Sequence, residues 1–455
     1  MTTVHPGTRT GGLDALLSRV RESLADGFLP LQVFNDADVY DAELERVFGR
    51  SWVFLAHETE IPNPGDYVLR RIGEDPFIVS RGNDGQIRAF FNSCRHRGTQ
   101  VCRYEKGNSN SFRCPFHGWT YNNLGNLTGV PSRAQAYPQM DLADWSLHQA
   151  PKVDTYHGLV FACLDPEAVP LSEYIGDMGW YLDTNLLAHP DGLEVIGEPL
   201  RWNIEANWKL GAETFCGDSY HLQHLHRSVF EVGLVPQFRG KAETRRGLDV
   251  HVSECSGHAT VIIRGPEEAR IFWGSPDELK AQYRQGELSD AQFSLARRSI
   301  FQVGTVFPNF SFMHTSTAFS VGGVAGSYFI IRQWQPKGPN RVEAWNWTLV
   351  PRGLSEEAKQ IAHRAALSQV GPSGNFEAED SVVWEGITRV AGSAFARRIG
   401  AKLHYAMGLD DGSAQVMEDF EGPGTVYDTR LEDGVQRTLY RRWLQEISRG
   451  DGTAV

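Results

Sequence analysis

Residues 94–117 read "CRHRGTQVCRYEKGNSNSFRCPFH", and the spacing of cysteine and histidine in this stretch decides how the rest of the chain is read. Cys94 is followed by His96, and Cys114 by His117, so each end of a polar loop offers one thiol and one imidazole. The chain has only six cysteines in 455 residues, which is too few for a disulfide scaffold. Cysteine and histidine at such short spacing therefore predict a metal centre.

Two kinds of metal centre use two cysteines and two histidines. A tetrahedral zinc site does so, but its sequence spacing commonly pairs cysteine with cysteine and histidine with histidine. In a Rieske [2Fe–2S] cluster, two histidines replace two thiolates on one of the irons, which raises the reduction potential. Because each loop here carries one ligand of each kind, the grouping favours the Rieske cluster over zinc.

The segments around this stretch have the pattern of short strands and turns. "PFIVSRGNDGQIRAFFN" predicts a hairpin at Asp84-Gly85, and "GWTYNNLGNLTGV" predicts another at 123–125. Residues 301–350 alternate as long antiparallel strands do. Helical patterns cover 13–24, about 38–48, the residues after Trp208, after Ser355 and after about Ser373, and about 435–447.

Composition and charge exclude several classes of protein. The net charge is −12, which argues against a nucleic-acid partner because phosphate binding needs a basic surface. No apolar run approaches 18 residues, so no transmembrane helix and no membrane partner are predicted. The N-terminus, "MTTVHPGTRTGG", is polar and lacks the apolar core of a signal peptide, so a cytoplasmic protein with a frayed tail is expected.

A second group of possible metal ligands begins with "GDSYHLQHLH", which contains His221, His224 and His226. Two histidines and one carboxylate on one face of an iron leave positions open for dioxygen. On a regular helix, His221 and His224 are about 60° apart, whereas His221 and His226 are about 140° apart. The second pair would need a helix end or a π-bulge, so helix geometry favours the first pair without deciding between them.

The segment "NFEAEDSVVWEG" supplies candidate carboxylates at Glu377, Glu379 and Asp380. On a helix, Asp380 would lie on a face that also carries Phe376 and Trp384, each four residues away. An acid beside apolar neighbours is a stronger functional candidate than an acid on a polar face, although most acids on helices are simply solvated.

Taken together, these motifs resemble those of the large (α) subunit of the Rieske non-haem iron aromatic-ring-hydroxylating dioxygenases, of the naphthalene, phenanthrene and pyrene type. "CRHRG" and "CPFHGW" match the cluster motif, "NWKLGAETFCGDSYHLQHLH" the iron-histidine segment and "FEAED" the carboxylate segment. The resemblance implies an α+β fold, in which a small all-β Rieske domain (51–168) is inserted in a larger catalytic domain (1–50 and 169–455). The catalytic domain would carry an antiparallel sheet covered by helices.

The resemblance also assigns ligands residue by residue. It gives the cluster the four residues of the opening stretch, Cys94, His96, Cys114 and His117. It gives a mononuclear Fe(II) to His221, His226 and Asp380, which makes His224 a non-ligand. Asp218 matches the acid that links a cluster histidine of one subunit to an iron histidine of its neighbour. Glu379 stands where many members carry aspartate, a change expected to be harmless.

The implied activity is that of a terminal oxygenase, which adds both atoms of O2 to an aromatic ring to give a cis-dihydrodiol. A polycyclic aromatic hydrocarbon is the expected substrate. Electrons would come from NADH through a reductase and a ferredoxin, and a small β subunit would complete an α3β3 assembly. The alternatives are a dioxygenase for aromatic acids such as phthalate or salicylate, a Rieske monooxygenase and a pure electron carrier. A pure electron carrier would leave some 290 residues after the Rieske domain without a role.

The substrate pocket is expected to be apolar. Its candidate residues are Thr214, Phe215, Leu222, Phe307, Val370 and Phe376. Ordinary core packing is the alternative explanation for each of them. Thr214 stands where several naphthalene-type members of the family carry asparagine, a change that could alter the pocket. A pocket for an aromatic acid would need a buried arginine or lysine, for which Arg332 is a candidate.

Overall fold

The computed structural model describes two compact units. One unit is Phe48–Tyr174, and the other consists of the chain on either side of it. The residues that the structure describes are 10–234, 247–251, 256–283, 286–409, 414–429 and 431–449. The predicted polar tail at residues 1–9 lies outside them.

Helices and strands are mixed along the described chain. The helices are α1 Thr10–Leu24, α2 Ala37–Ala42, α3 Arg133–Ala136, α4 Leu171–Ile175, α5 Met178–Leu186, α6 Trp208–Gly217, α7 Arg227–Glu231, α8 Asp277–Lys280, α9 Asp290–Arg298, α10 Glu356–Val370, α11 Asn375–Ala391, α12 Ala394–Ile399 and α13 Gly434–Ile447. The strands are β1 Phe28–Pro30, β2 Val53–His57, β3 Asp66–Ile72, β4 Asp75–Arg81, β5 Ile87–Phe91, β6 Lys106–Asn108, β7 Ser111–Arg113, β8 Thr120–Asn122, β9 Leu127–Gly129, β10 Lys152–Tyr156, β11 Leu159–Cys163, β12 Leu193–Val195, β13 Leu200–Ile204, β14 Gly247–His251, β15 Ala259–Arg264, β16 Ser299–Val306, β17 Phe310–Ala318, β18 Ala325–Pro336, β19 Val342–Pro351, β20 Lys402–His404 and β21 Thr425–Tyr427.

The unit Phe48–Tyr174 is built mainly from short antiparallel strands. Its sheets have the strand orders β5-β4-β3-β6, β7-β8-β9 and β10-β11-β2. The two predicted hairpins are present, as β4–β5 and β8–β9. Cys94 and Cys114 are buried in the same core as Ile78, Phe90 and Phe112. Burial of both thiols in this small core holds their two loops in fixed positions.

The other unit is organised by a nine-stranded antiparallel sheet. The strand order is β12-β19-β18-β17-β16-β15-β14-β21, and β13 also pairs with β19. The long strands predicted within 301–350 are β16 to β19. Helix α6 packs against β15 to β18, α10 packs against β17 to β19, and α13 packs against α6. The predicted α+β class, with an antiparallel sheet covered by helices, is confirmed.

A glycine allows helix α6 to approach the sheet closely. A Cβ atom at Gly211 would lie 2.5 Å from the indole of Trp334 on β18. Only a residue without a side chain fits there. Because α6 leads directly into the histidine segment, this contact helps to set the position of those histidines relative to the sheet.

Most predicted helix boundaries agree with the structure. Ser355 caps α10 by accepting a hydrogen bond from the amide of Ala358. The helix predicted to start at Ser373 starts instead at Asn375, with Gly374 as the N-cap. Among the helices that the structure describes, none combines the length and the apolar content needed to cross a lipid bilayer.

Candidate functional site

The two cysteine–histidine loops share one backbone arrangement. In the first, the amide of Gly98 donates to the carbonyl of Cys94 at 2.8 Å, and in the second Gly118 donates to Cys114 at 3.1 Å. The φ angles of Gly98 and Gly118 are 75° and 73°, in the left-handed region that favours glycine. The glycine that closes each motif is thus required by the local backbone.

The four predicted cluster residues offer buried ligand atoms. Cys94 and Cys114 are each 2% exposed, and the imidazole rings of His96 and His117 have centroids 4.5 Å apart. Both Nδ1 atoms are buried without a hydrogen-bond partner, while the Tyr137 hydroxyl lies 3.3 Å from Nε2 of His96. Unpaired buried nitrogens are costly, and a neutral imidazole is the commonest metal ligand in proteins. The four side chains therefore fit a metal cluster.

Their spacing does not fit a single ion. Ligand atoms around a tetrahedral zinc lie within about 4 Å of one another. Within the described ranges, only one group of three or more histidine, cysteine or acidic residues has all its ligand atoms within 4.8 Å of one another, and it lies outside these loops. A two-iron cluster spreads its ligands over two metal atoms, so the arrangement favours the Rieske cluster over zinc.

That compact group consists of His221, His226 and Asp380. Nε2 of His221 lies 3.2 Å from Nε2 of His226. Oδ1 of Asp380 lies 3.6 Å from the former nitrogen and 3.3 Å from the latter. Three ligands at right angles, with bonds of about 2.1 Å, would be about 3 Å apart. The three atoms therefore fit one face of an iron ion, with the other face open.

The local chain explains why His226 rather than His224 reaches this group. Helix α6 ends at Gly217, and His221 lies in a single turn of 3-10 helix, His221–Gln223. His226 is the N-cap of the next helix, and the side chain of His224 is exposed. The segment is not one regular helix, so the 60° argument for His224 does not apply.

A carboxylate lies beside the other nitrogen of each histidine. Oδ2 of Asp218 is 3.4 Å from Nδ1 of His221, and Oε2 of Glu379 is 2.8 Å from Nδ1 of His226. The hydroxyl of Ser228 donates to Oε1 of Glu379 at 2.9 Å. The hydrogen bond from Nδ1 of His226 to Glu379 fixes the tautomer and orientation of that ring. The nearby charge of Asp218 favours a proton on Nδ1 of His221, which leaves Nε2 of both histidines for the metal.

Glu379 is the functional contact that the sequence analysis missed. The sequence showed two adjacent acids, Glu379 and Asp380, on a predicted helix. Neighbouring residues on a helix point about 100° apart, which allows one to face the metal position and the other the back of His226. Two adjacent acids on a helix, in a chain that also has a candidate histidine pair, are therefore a signal that one acid binds the metal and the other orients a histidine.

Asp218 is suited to act as an ionised acceptor. Burial opposes ionisation of its carboxyl group, but the hydrogen bonds and charge of His221 outweigh burial, so the pKa of Asp218 lies below its ordinary value. Its side chain is 34% exposed. The carboxylate can thus contact His221 and still present a surface to another molecule.

A cavity lies beside the three ligand atoms, and most of its lining surface is apolar. It includes five of the six predicted pocket residues, Thr214, Phe215, Leu222, Val370 and Phe376. Side chains that the sequence analysis did not single out also line it, namely Phe230, Phe301, Val303, Met313, Thr315 and Thr317. The last five are alternate residues of β16 and β17, which point to the same face of the sheet. The period of two in the sequence could therefore have predicted that they line the cavity. Arg332 and Glu377 also line the cavity.

Phe307, the sixth predicted pocket residue, is not among the side chains that line this cavity. Phe307 follows the end of β16, and its ring lies 5.9 Å from the guanidinium of Arg442, away from the cavity. Strand residues rise about 3.3 Å each, so Phe307 is roughly 13 Å along the chain from Val303. Phe307 is an even number of residues from Phe301 and Val303, which line the cavity, but it lies beyond the end of the strand that carries them.

Comparison with known proteins assigns both units. Residues 51–156 match the Rieske [2Fe-2S] domain, and residues 176–446 match the ring hydroxylating alpha subunit (catalytic domain). The chain is 37% identical to the N,N-dimethyl phenylurea N-demethylase subunit alpha of Sphingobium sp. (strain YBL2), over 96% of this chain and 95% of that protein. It is 34% identical to the biphenyl 2,3-dioxygenase subunit alpha of Rhodococcus jostii (strain RHA1), over 94% and 91%.

A solved structure shows the same fold. Naphthalene 1,2-dioxygenase from Rhodococcus sp., in complex with indole, superposes with a TM-score of 0.91 at 39% identity, covering 96% of this chain and 99% of that chain. The matched domains carry the two predicted cofactors, a Rieske [2Fe–2S] cluster and a mononuclear iron. The chain therefore belongs to the ring-hydroxylating alpha-subunit family of Rieske non-haem iron oxygenases.

Proposed function

We propose that this chain is a terminal oxygenase component that adds both atoms of O2 to one face of a neutral aromatic hydrocarbon, giving a cis-dihydrodiol. The arene, O2, NADH and one proton are consumed, and the diol and NAD+ are formed. The observation that carries the proposal is the apolar cavity directly beside the open face of His221, His226 and Asp380. Relatives named for biphenyl and naphthalene support the substrate class.

The proposed roles of the side chains follow from their positions. His221, His226 and Asp380 hold the iron, which supplies dioxygen activation when bound. Phe215 and Phe376 contact the ring of the substrate and keep water out of the cavity. The cluster is held by the four residues of the two loops, Cys94, His96, Cys114 and His117. We assign cluster binding to residues 51–168 and catalysis to 1–50 with 169–455.

The proposed partners are a reductase that oxidises NADH, a ferredoxin, and a small β subunit in an α3β3 assembly, all in the cytoplasm. Exposed basic side chains flank the cluster loops and offer a surface to an acidic electron carrier, at Arg97, Arg103, Lys106 and Arg113. We propose that the exposed edge of Asp218 links the iron site to the cluster of a neighbouring subunit.

Oxidative N-demethylation is the second candidate function. The observation that favours it is the 37% identity to an N-demethylase over nearly the whole chain. The same metal ligands would serve, but one oxygen atom would be lost as water and no diol would form. Product analysis separates the two functions, because a phenylurea would lose a methyl group and naphthalene would remain unchanged.

The first test is metal content followed by product analysis. Anaerobically purified protein should contain about three irons for every two acid-labile sulfides. With NADH, reductase and ferredoxin supplied, naphthalene or biphenyl should yield a cis-diol that carries two atoms from 18O2. About two irons for two sulfides, with no iron regained on adding Fe(II), would instead indicate an electron carrier.

Replacing Asp218 by alanine should leave both metals bound and lower the rate of product formation by about 10–100-fold, because the carboxylate that orients His221 is lost. Iron, sulfide and diol are measured on the same preparation. The matched control is Glu231→Ala, an exposed acid on the neighbouring helix. Unchanged turnover in the Asp218 variant would show that the linking role is wrong.

Replacing Glu379 by alanine should weaken Fe(II) binding by about 10–100-fold, because Nδ1 of His226 loses its acceptor. Ser228→Ala should have a smaller effect, since it removes only the contact to the second carboxylate oxygen. Competition with a chelator measures the affinity, and sulfide content confirms that the cluster is intact. Equal iron affinity in the Glu379 variant and in an exposed-acid control, Glu357→Ala, would contradict this role.

A further inference from the structure

A buried ion pair forms part of the cavity wall. The side chains of Arg332 and Glu377 are 0% and 2% exposed, and Nη1 of the arginine donates to Oε2 of the glutamate at 2.6 Å. The other two nitrogens of Arg332 also donate hydrogen bonds. Nη2 donates to the carbonyl of Val370 at 2.9 Å, and Nε donates to Oδ1 of Asn346 at 3.2 Å. The guanidinium is therefore fixed in one orientation.

Aromatic rings hold the same guanidinium from its sides. Its central carbon lies 5.0 Å from the ring centroids of Phe215 and Trp334, and 5.2 Å from that of Trp202. Phe215 lines the cavity together with Arg332. A cation so enclosed cannot swing towards a ligand without losing these contacts. Its charge acts on the cavity only in combination with the charge of Glu377.

We propose that Glu377 masks the charge of Arg332 and thereby determines the charge class of the substrate, so that the cavity accepts neutral aromatic rings and rejects aromatic carboxylates. The inference rests on the proposed function and deepens it. A substrate carboxylate entering this cavity would be desolvated beside a cation that already has a carboxylate partner. Such an unmatched negative charge is strongly unfavourable in a buried site.

The masking can be reversed without changing the shape of the cavity wall. Glutamine has nearly the shape of glutamate and keeps an oxygen for Nη1 of Arg332, but it removes the negative charge. In Glu377→Gln the arginine becomes an uncompensated cation at the cavity wall, which attracts a carboxylate in the cavity through its charge, without a direct hydrogen bond. The double variant Arg332→Gln with Glu377→Gln removes both charges and is the matched control.

The experiment is equilibrium dialysis of the intact oxygenase with naphthalene and with 2-naphthoate, and the measured quantity is the ratio of the two dissociation constants. The wild-type protein should bind naphthoate at least about 100-fold more weakly than naphthalene, and Glu377→Gln should lower that ratio by at least about 10-fold. The double variant should return the ratio to near the wild-type value. If the double variant still bound naphthoate more tightly than the wild-type protein does, the gain in affinity would come from the iron rather than from Arg332. That result would overturn the proposal.

Wild-type protein alone provides a second measurement, should Glu377→Gln fail to fold. If the pair is neutral overall, 2-naphthoate and 2-naphthylmethylammonium should both bind far more weakly than naphthalene. Tighter binding of 2-naphthoate than of 2-naphthylmethylammonium by more than about 10-fold would overturn the proposal that Glu377 masks Arg332. An unchanged ratio of the naphthoate and naphthalene dissociation constants in folded Glu377→Gln would do the same. Neither result would overturn the proposed function. Failure of the wild-type protein to bind any neutral arene would overturn the proposed function itself.

Discussion

Replacing His226 by alanine is expected to remove the mononuclear iron and to leave the cluster in place. Its Nε2 atom is one of three that converge within 3.6 Å, and two ligands alone cannot form the facial set. Iron should fall from about three to about two atoms for every two sulfides. Product formation should fall at least about 1000-fold. Enzymes accelerate reactions by about 10⁶-fold or more, and here that acceleration depends on the bound iron. Iron and sulfide assays on the same sample, with product analysis, measure both effects.

The matched control is His224→Ala, only two residues away. The His224 ring is exposed and lies outside the compact group, so this variant should keep its iron and most of its activity. The pair of variants decides between the two histidine pairs that helix geometry alone left open. Loss of iron in His224→Ala, with iron retained in His226→Ala, would falsify the ligand assignment.

Replacing Lys209 by methionine is expected to destabilise the catalytic unit by about 3–5 kcal/mol, because it leaves the carboxylate of Glu43 buried without its cation. The side chains of Lys209 and Glu43 are 1% and 0% exposed, and their charged atoms lie 2.5 Å apart. Trp208 and Trp443 also donate their indole N–H groups to the same carboxylate. One carboxylate thus joins three segments that are distant in sequence.

Tryptophan fluorescence during urea unfolding measures this effect, since Trp208 and Trp443 contact the affected carboxylate. The control is Lys280→Met, which removes a pair with an exposed Asp277 and should cost no more than about 1 kcal/mol. The double variant Glu43→Gln with Lys209→Met should recover part of the loss, because no buried charge is left unpaired. Equal unfolding midpoints for Lys209→Met and Lys280→Met would show that the buried pair contributes little.

Local spacing determined much of this protein. The two cysteine–histidine motifs, their closing glycines and the hairpins beside them depend on neighbours within a few residues, and the sequence predicts them directly. The long strands β16 to β19 and the N-cap at Ser355 also follow from local patterns. Residue type and spacing alone favour an iron–sulfur cluster and offer candidate ligands for a second iron, whereas the α+β fold and the choice of those ligands came from the family resemblance.

Apart from the family resemblance, only the tertiary structure decided which of several similar side chains converge. Asp380 faces the metal position and Glu379 faces His226, a choice made by the docking of α11 against a segment more than 150 residues earlier. Phe307 has the parity of a pocket residue but lies beyond the end of its strand. Arg332 forms an ion pair with Glu377, 45 residues away. Such long-range contacts are fixed by packing across the fold, and no local pattern in the sequence encodes them.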